Sequence, residues 1–159
     1  MRLPLQVGVF LFRRNGERTE FLLLKRTPAK GDFWQSISGG VEDDETIHEC
    51  MRREIEEEAG VTSFSNVVDN LLFYQYEDPT YRSGATVTIT QLFFGAEVPM
   101  DTVVDITKNH CKEHTESSWC LFDEAIALLK WDSNKEALRN LQAVLANPAT
   151  RRSSPPVFR

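Results

Sequence analysis

The stretch GGVEDDETIHECMRREIEEEAGV, residues 39–61, decides how the rest of the chain is read. Residues 42–58 hold nine carboxylates against Arg52 and Arg53, a net charge of −7, whereas the whole 159-residue chain carries −6. The acidity is therefore local. Like charges crowded onto one short segment repel one another unless a cation is meant to sit among them.

Periodicity makes the stretch a helix. At about 100° per residue from Ile47, Met51 falls near 40°, Ile55 near 80° and Cys50 near 300°, an apolar stripe. Glu58, near 20°, and Glu54, near 340°, fall roughly inside that stripe, and Glu57 lies at its border near 280°. Glutamate-rich helices ordinarily turn their acids to water, and Glu49, Arg52, Arg53 and Glu56 do so; His48, on the flank, is also expected at the surface. The stripe acids differ. They sit at the negative end of the helix dipole, and burying them uncompensated would cost several kcal/mol per ion. A hard divalent cation removes both penalties, and oxygen ligands at i, i+3 and i+4 suit Mg²⁺ or Mn²⁺ better than zinc. Gly39 and Gly40 are expected to form a permissive loop before the helix, and Gly60 to end it with a left-handed cap.

Upstream, LQVGVFLFR (5–13) and EFLLLKR (20–26) flank the turn signal Asn15-Gly16, which predicts a hairpin. Lys25 and Arg26 end its second strand, where a basic pair meets either solvent or a phosphate. In GDFWQSISGG, Phe33 and Trp34 are expected as wall or core. Downstream, strands are expected over 67–78 and 85–98, the second alternating from Thr86 to Leu92 with Val87, Ile89 and Gln91 on one side. The loop PTYRSG between them carries Tyr81 and Arg82. A short strand at 117–122, a helix capped by Asp123, and a last helix opened by a Ser133/Glu136 capping box complete the pattern. Strands on either side of one patterned helix, with helices again at the end, predict an α/β chain whose mixed sheet is covered on both faces.

Composition bounds the partners. With 41% apolar residues and 159 in all, the chain supports one core, expected over 1–147, with 148–159 a flexible tail. No run reaches the length of a membrane helix, and no cleavable leader is evident, so a soluble cytoplasmic protein is expected. Three cysteines (Cys50, Cys111, Cys120) read as reduced thiols. The negative charge and the lack of a basic stripe argue against nucleic acid polymers and leave small phosphorylated ligands. His110, Cys111, His114 and Cys120 could be drawn as a zinc site, but their spacing fits no usual structural pattern.

The stretch resembles the Nudix box, G-x5-E-x7-R-E-U-x-E-E-x-G-U, at Gly39, Glu45, Arg53, Glu54, Ile55, Glu57, Glu58, Gly60 and Val61. That resemblance implies an α/β/α sandwich with a mixed sheet and metal-dependent hydrolysis of a nucleoside diphosphate linked to another group. It makes Glu54, Glu57 and Glu58 the metal-binding carboxylates and Glu45 with Arg53 a supporting pair. More narrowly, FWQSISGGVEDDET, EHTESSWCLFDEAIALL and WDSNKEAL resemble the bacterial branch of dATP or dihydroneopterin triphosphate pyrophosphohydrolases. There a glutamate six residues before a late tryptophan is a further metal ligand or base; here Glu113 stands six before Trp119, and Glu116 is the rival. The branch also suggests Trp131, Ser133 and Asn134 near a base. The resemblance implies a small-molecule substrate, a nucleoside or pterin triphosphate, split to monophosphate and pyrophosphate with Mg²⁺, Mn²⁺ being a possible substitute, by a monomer or homodimer. Glu54 or Glu113 would take the proton from the attacking water. Lys25, Arg26, Trp34, Gly39, Gly40 and Arg82 are the substrate-contact candidates. ADP-ribose, a diadenosine polyphosphate or an oxidised nucleotide are alternative substrates, and a non-catalytic nucleotide sensor is the alternative of another class.

Overall fold

The hairpin forms where Asn15-Gly16 predicts it, with Gly16 at φ 65° joining β1 (Arg2–Asn15) to antiparallel β2 (Arg18–Arg26). The computed structural model describes residues 2–82 and 84–147, so the tail expected at 148–159 lies outside the described residues. β3 (Trp34–Gln35) and β4 (Ile37–Glu42) follow, then α1 (Ile47–Ala59), β5 (Ser65–Arg82), β6 (Ala85–Glu97), β7 (His114–Cys120), α2 (Phe122–Leu128) and α3 (Asp132–Ala146).

The seven strands make one mixed sheet in the order β3-β2-β1-β6-β5, with β4 also on β1 and β7 also on β2. β1 and β6 run parallel from Leu5↔Thr90 to Phe12↔Glu97, and the other pairings are antiparallel. β1 and β2 pair only from Phe12↔Phe21 to Asn15↔Arg18, and beyond that they part. β4 then takes the freed edge of β1, and β3 that of β2. The chain crosses this split at Ser36, whose N–H donates to Asn134 Oδ1 on α3 at 3.0 Å.

Period-2 alternation sorts the core into two layers. Val7, Val9, Leu11, Leu22 and Leu24 face α1 and meet Cys50, Met51, Ile55 and Ala59. Phe10, Phe12, Phe21 and Leu23 face the other way, onto Ala125, Ala137, Leu138 and Leu141. The sheet is therefore covered on both faces, as the sequence predicts.

Several local expectations are corrected. Gly39 and Gly40 are not a loop; both are in β4, paired with Val7 and Gln6. The segment from Pro79 does not leave the sheet, because β5 continues to Arg82 along an edge, where proline removes no ladder bond. The side chain of Arg82 lies outside the described residues. Asp123 is not a cap: α2 begins one residue earlier, after Leu121, whose N–H donates to Glu124 Oε1 at 2.8 Å. Nor does Ser133 cap α3. The helix begins at Asp132 with Trp131 at the N-cap, which leaves Ser133 and Asn134 in its first turn.

α1 has the strongest termini. Thr46 accepts from Glu49 N–H while Glu49 Oε1 accepts from Thr46 N–H, both at 3.1 Å, and Gly60 closes the helix at φ 67° with its N–H on Glu56 O. Thr46→Ala is expected to lower unfolding free energy by about 1 kcal/mol. Leu138→Ala, which empties a fully buried position, should lower it by about 2–5 kcal/mol. Urea titration of both variants measures the two values.

Candidate active site

α1 packs its acidic stripe beneath β4. Glu54 and Glu58 are 5% and 1% exposed, and Glu57 stands at the rim with its side chain 48% exposed. Close approach explains Gly39: a Cβ there would overlap the Glu54 carboxylate. Glu58 Oε2 accepts from Ser38 N–H at 3.1 Å, while Glu58 Oε1 is buried without a hydrogen-bond partner. Burial foremost, and then the neighbouring Glu54 charge, push the Glu58 carboxyl well above the ordinary carboxylate range.

Arg53 ties these parts together. Its guanidinium meets Glu45 through Nη2–Oε1 at 2.6 Å and Nε–Oε2 at 3.0 Å. Nη2 also donates to Gly40 O at 3.0 Å, and Nη1 reaches Glu54 Oε1 at 2.8 Å and Glu57 Oε2 at 3.4 Å. Hydrogen bonding to Arg53 lowers the Glu45 carboxyl to about 2, and the Arg53 pKa is raised in turn.

Two adjoining cavities open over this framework. One, of about 360 Å³, is polar and includes Arg26, Glu54, Glu57, Asn109 and Glu113 in its wall. The other, of about 390 Å³, has Tyr74, Tyr76, Gln91, Trp131, Ser133 and Asn134 in its wall. Gln6, Gln35, Ser38 and Tyr76 border both, so the two lie side by side. In the second, the Tyr74 and Tyr76 rings stack with centroids 5.9 Å apart, and Tyr76 OH donates to Gln6 Oε1 at 3.0 Å.

The residues singled out from sequence divide on this geometry. Glu54, Glu57, Glu113, Arg53, Gly39, Gly40 and Arg26 come together at the first cavity. Arg26 Nη1 is 3.8 Å from Glu113 Oε2. Lys25 lies elsewhere, with Nζ 3.6 Å from Asp32 and 3.5 Å from Glu116, so the rival acid Glu116 sits at this outer pair. Trp34 packs against the α2/α3 core instead of lining either cavity. The zinc grouping is not assembled: His110 and Cys111 are exposed, and Cys120 lies in the α2/α3 core, while His114 is buried beside Glu58, its Nε2 3.6 Å from Oε1. Burial first, and Arg26 second, lower the His114 pKa to about 4, so the ring is neutral near pH 7.

Gln6, Gln35, Gln91 and Asn109 were not singled out. A signal existed for Gln6, which interrupts an apolar run, and for Gln91, which continues the Val87–Ile89 face of its strand and is 7% exposed. Nothing local marks Asn109.

The donor set fits a divalent cation. Glu54, Glu57 and Glu113 share the cavity wall with Arg26 and Arg53, and Glu58 keeps one buried carboxylate oxygen without a partner, which is the deficit a cation would fill.

Comparison with known proteins agrees with this architecture. Dihydroneopterin triphosphate diphosphatase of Escherichia coli K12 is 27% identical over 143 residues, covering 85% of this chain and 89% of that protein. A Listeria monocytogenes structure classed as a NUDIX hydrolase superposes with a TM-score of 0.79 at 29% identity, over 91% of this chain and 96% of that one. The structure of the E. coli dihydroneopterin triphosphate pyrophosphohydrolase shares the fold, with a TM-score of 0.73 at 24% identity over 92% and 98% of the two chains. The family model for the NUDIX domain matches residues 2–141, which include every strand, the box helix and both cavities, and the chain belongs to that family.

Proposed function

We propose that this Nudix hydrolase splits a nucleoside or pterin triphosphate into the monophosphate and pyrophosphate, in the cytoplasm. The observation that carries the reading is the adjacency of the two cavities, which share Gln6, Gln35, Ser38 and Tyr76 in their walls. A carboxylate-lined chamber suited to a metal-bound polyphosphate lies beside a chamber of amides and aromatic rings sized for a heterocycle. The similarity to dihydroneopterin triphosphate diphosphatase supports the same substrate class.

Mg²⁺, with Mn²⁺ as substitute, would be held by Glu54, Glu57, Glu58 and Glu113, and when bound it supplies neutralisation of phosphate charge and acidification of water. The chain's own groups do the rest. Arg26, its Nη1 3.8 Å from Glu113 Oε2, would offer its guanidinium to a phosphate oxygen. Arg53 fixes the rotamers of Glu54 and Glu57, and Glu45 fixes Arg53. Glu54 or Glu113 takes the proton as water attacks phosphorus. Tyr74, Tyr76 and Trp131 offer faces for the ring system, and the surrounding amides offer hydrogen bonds to its edge.

Purified protein with Mg²⁺ and a triphosphate panel should release pyrophosphate, and excess chelator should stop it. Turnover of ADP-ribose or a dinucleoside polyphosphate without pyrophosphate would replace the triphosphate reading, and nucleotide binding with no turnover would replace the enzyme reading with that of a sensor.

Glu58→Gln should lower kcat by at least about two orders of magnitude while raising the Tm of the metal-free protein, because it removes a buried, uncompensated charge. Since the folded pKa of Glu58 lies above its unfolded value, its favourable contribution exists below the unfolded value and is lost as pH rises through the folded one. The rise in Tm on adding Mg²⁺ should therefore grow from pH 5 to pH 8, and thermal melts at both pH values measure it.

Arg53→Lys keeps the charge but loses the fork that holds Glu45, Gly40 and Glu54 together. It should cut kcat/KM at least about tenfold, with far-UV circular dichroism unchanged.

A further inference from the structure

We infer that His114 is a nitrogen ligand to the cation, so that the inner part of the site, formed by Glu58, Glu113 and His114, takes a transition-series divalent ion in preference to Mg²⁺. The inference rests on the metal-dependent reading above and goes beyond it by adding a donor that the box does not contain.

Geometry brings the three together. Each offers one ligand atom, and those atoms lie within 4.8 Å of one another. Adjacent residues on a regular strand point to opposite faces, so Glu113 and His114 share one cluster only because the backbone departs from regularity there. Lys112 takes φ 47°, and the β2–β7 register shifts between Lys25 and Arg26, opposite the start of β7. Such irregularities re-aim side chains.

The local hydrogen bonding is incomplete in the manner a missing cation explains. The His114 and Glu58 side chains are each 1% exposed, and their facing atoms, Nε2 and Oε1, stand 3.6 Å apart. Glu58 Oε1 has no hydrogen-bond partner. Among the described residues, the ring's hydrogen-bond contact is Gln35 Nε2 to His114 Nε2, 3.5 Å long. With the Gln35 amide group donating, Nε2 carries a lone pair, and that atom faces Glu58 Oε1. A gap of 3.6 Å is too long for a direct hydrogen bond and too short to admit a water between the two. It is close to the spacing of two ligands at about 2.1 Å from one ion, which is about 3.0 Å for octahedral and 3.4 Å for tetrahedral angles. One imidazole with two carboxylates matches Mn²⁺, Fe²⁺, Co²⁺ or Zn²⁺ better than Mg²⁺, which favours oxygen.

Electron spin-echo modulation of bound Mn²⁺ tests this without reference to turnover. The full-length protein loaded with Mn²⁺ should show ¹⁴N modulation that changes to the ¹⁵N pattern when histidine is ¹⁵N-labelled. His114→Gln should abolish it and weaken Mn²⁺ binding by about tenfold or more, while Mg²⁺ binding changes less than about threefold. His48→Gln, on the exposed flank of α1, should leave the modulation intact. Because the unmodified protein's spectrum decides, the test does not depend on a variant folding. Mn²⁺ bound without nitrogen modulation overturns the His114 assignment and leaves the hydrolase reading standing, as does modulation that persists in His114→Gln. Failure to bind Mn²⁺ at all, with no metal-dependent turnover, overturns both.

Discussion

The Arg53 guanidinium joins three structural parts. Its planar fork binds Glu45 in bidentate fashion, its Nη2 reaches the carbonyl of Gly40 in β4, and its Nη1 touches Glu54 and Glu57 on its own helix. A lysine offers no such set of fixed directions. The loop before α1, the strand above it and the acids along it therefore share one register. Glu45 is 11% exposed at its side chain, so this pair is shielded enough for its geometry to be held and for its charges to be felt.

That register sets the helix against its own interests. Glu54 and Glu58 occupy positions where the sheet-facing stripe would otherwise be apolar, and Ile55, Met51, Cys50 and Ala59 must anchor α1 to β1, β2 and β4 beside them. Burying an ile-sized side chain contributes about 1.5–3 kcal/mol, and each poorly compensated buried carboxylate costs a comparable or larger amount. The reciprocal box at Thr46 and Glu49 and the left-handed cap at Gly60 supply stability at the ends of the helix, away from the acids. The same tension explains Gly39. A strand residue with any side chain would push Glu54 away from the sheet, so the acid reaches the cavity only over a bare backbone.

Much of this was legible in the residues. Angular position alone separated the buried Glu54 and Glu58 from the exposed Glu49 and Glu56, and Gly60 was readable as a helix stop because a left-handed cap favours glycine. The apolar runs of β1 and β2 and the Asn15-Gly16 turn between them were equally plain, whereas their sorting into two layers shows only in the structure. Local pattern failed where a residue's partner is remote. Gly39-Gly40 looks like a flexible loop until Glu54 is known to lie under it. Ser133 looks like a cap in a capping box, yet α3 starts two residues sooner than such a cap implies, and its neighbour Asn134 is drawn instead to the N–H of Ser36, 98 positions away. The amides of Gln6, Gln35 and Gln91 do not read as one group because no local rule says that three strands will turn them toward one space.

The split between β1 and β2 unites these features. Because the two strands part after Phe12↔Phe21, β3 and β4 enter between them, and the crossing at Ser36 sends Gln35 and Ser38 to the border of both cavities. On the β4 side of that crossing stand Gly39, Gly40 and the carboxylates of α1; on the α3 side stand Asn134, Ser133 and Trp131. The charged chamber and the ring-sized chamber are thus set apart by the path of one short segment. A change in the α3 end can reshape the second chamber without disturbing Arg53, which has no contact with α3 among its hydrogen bonds. The carboxylates and their clamp therefore belong to α1 and the strand above it, while the second cavity takes its shape from the other side of the crossing.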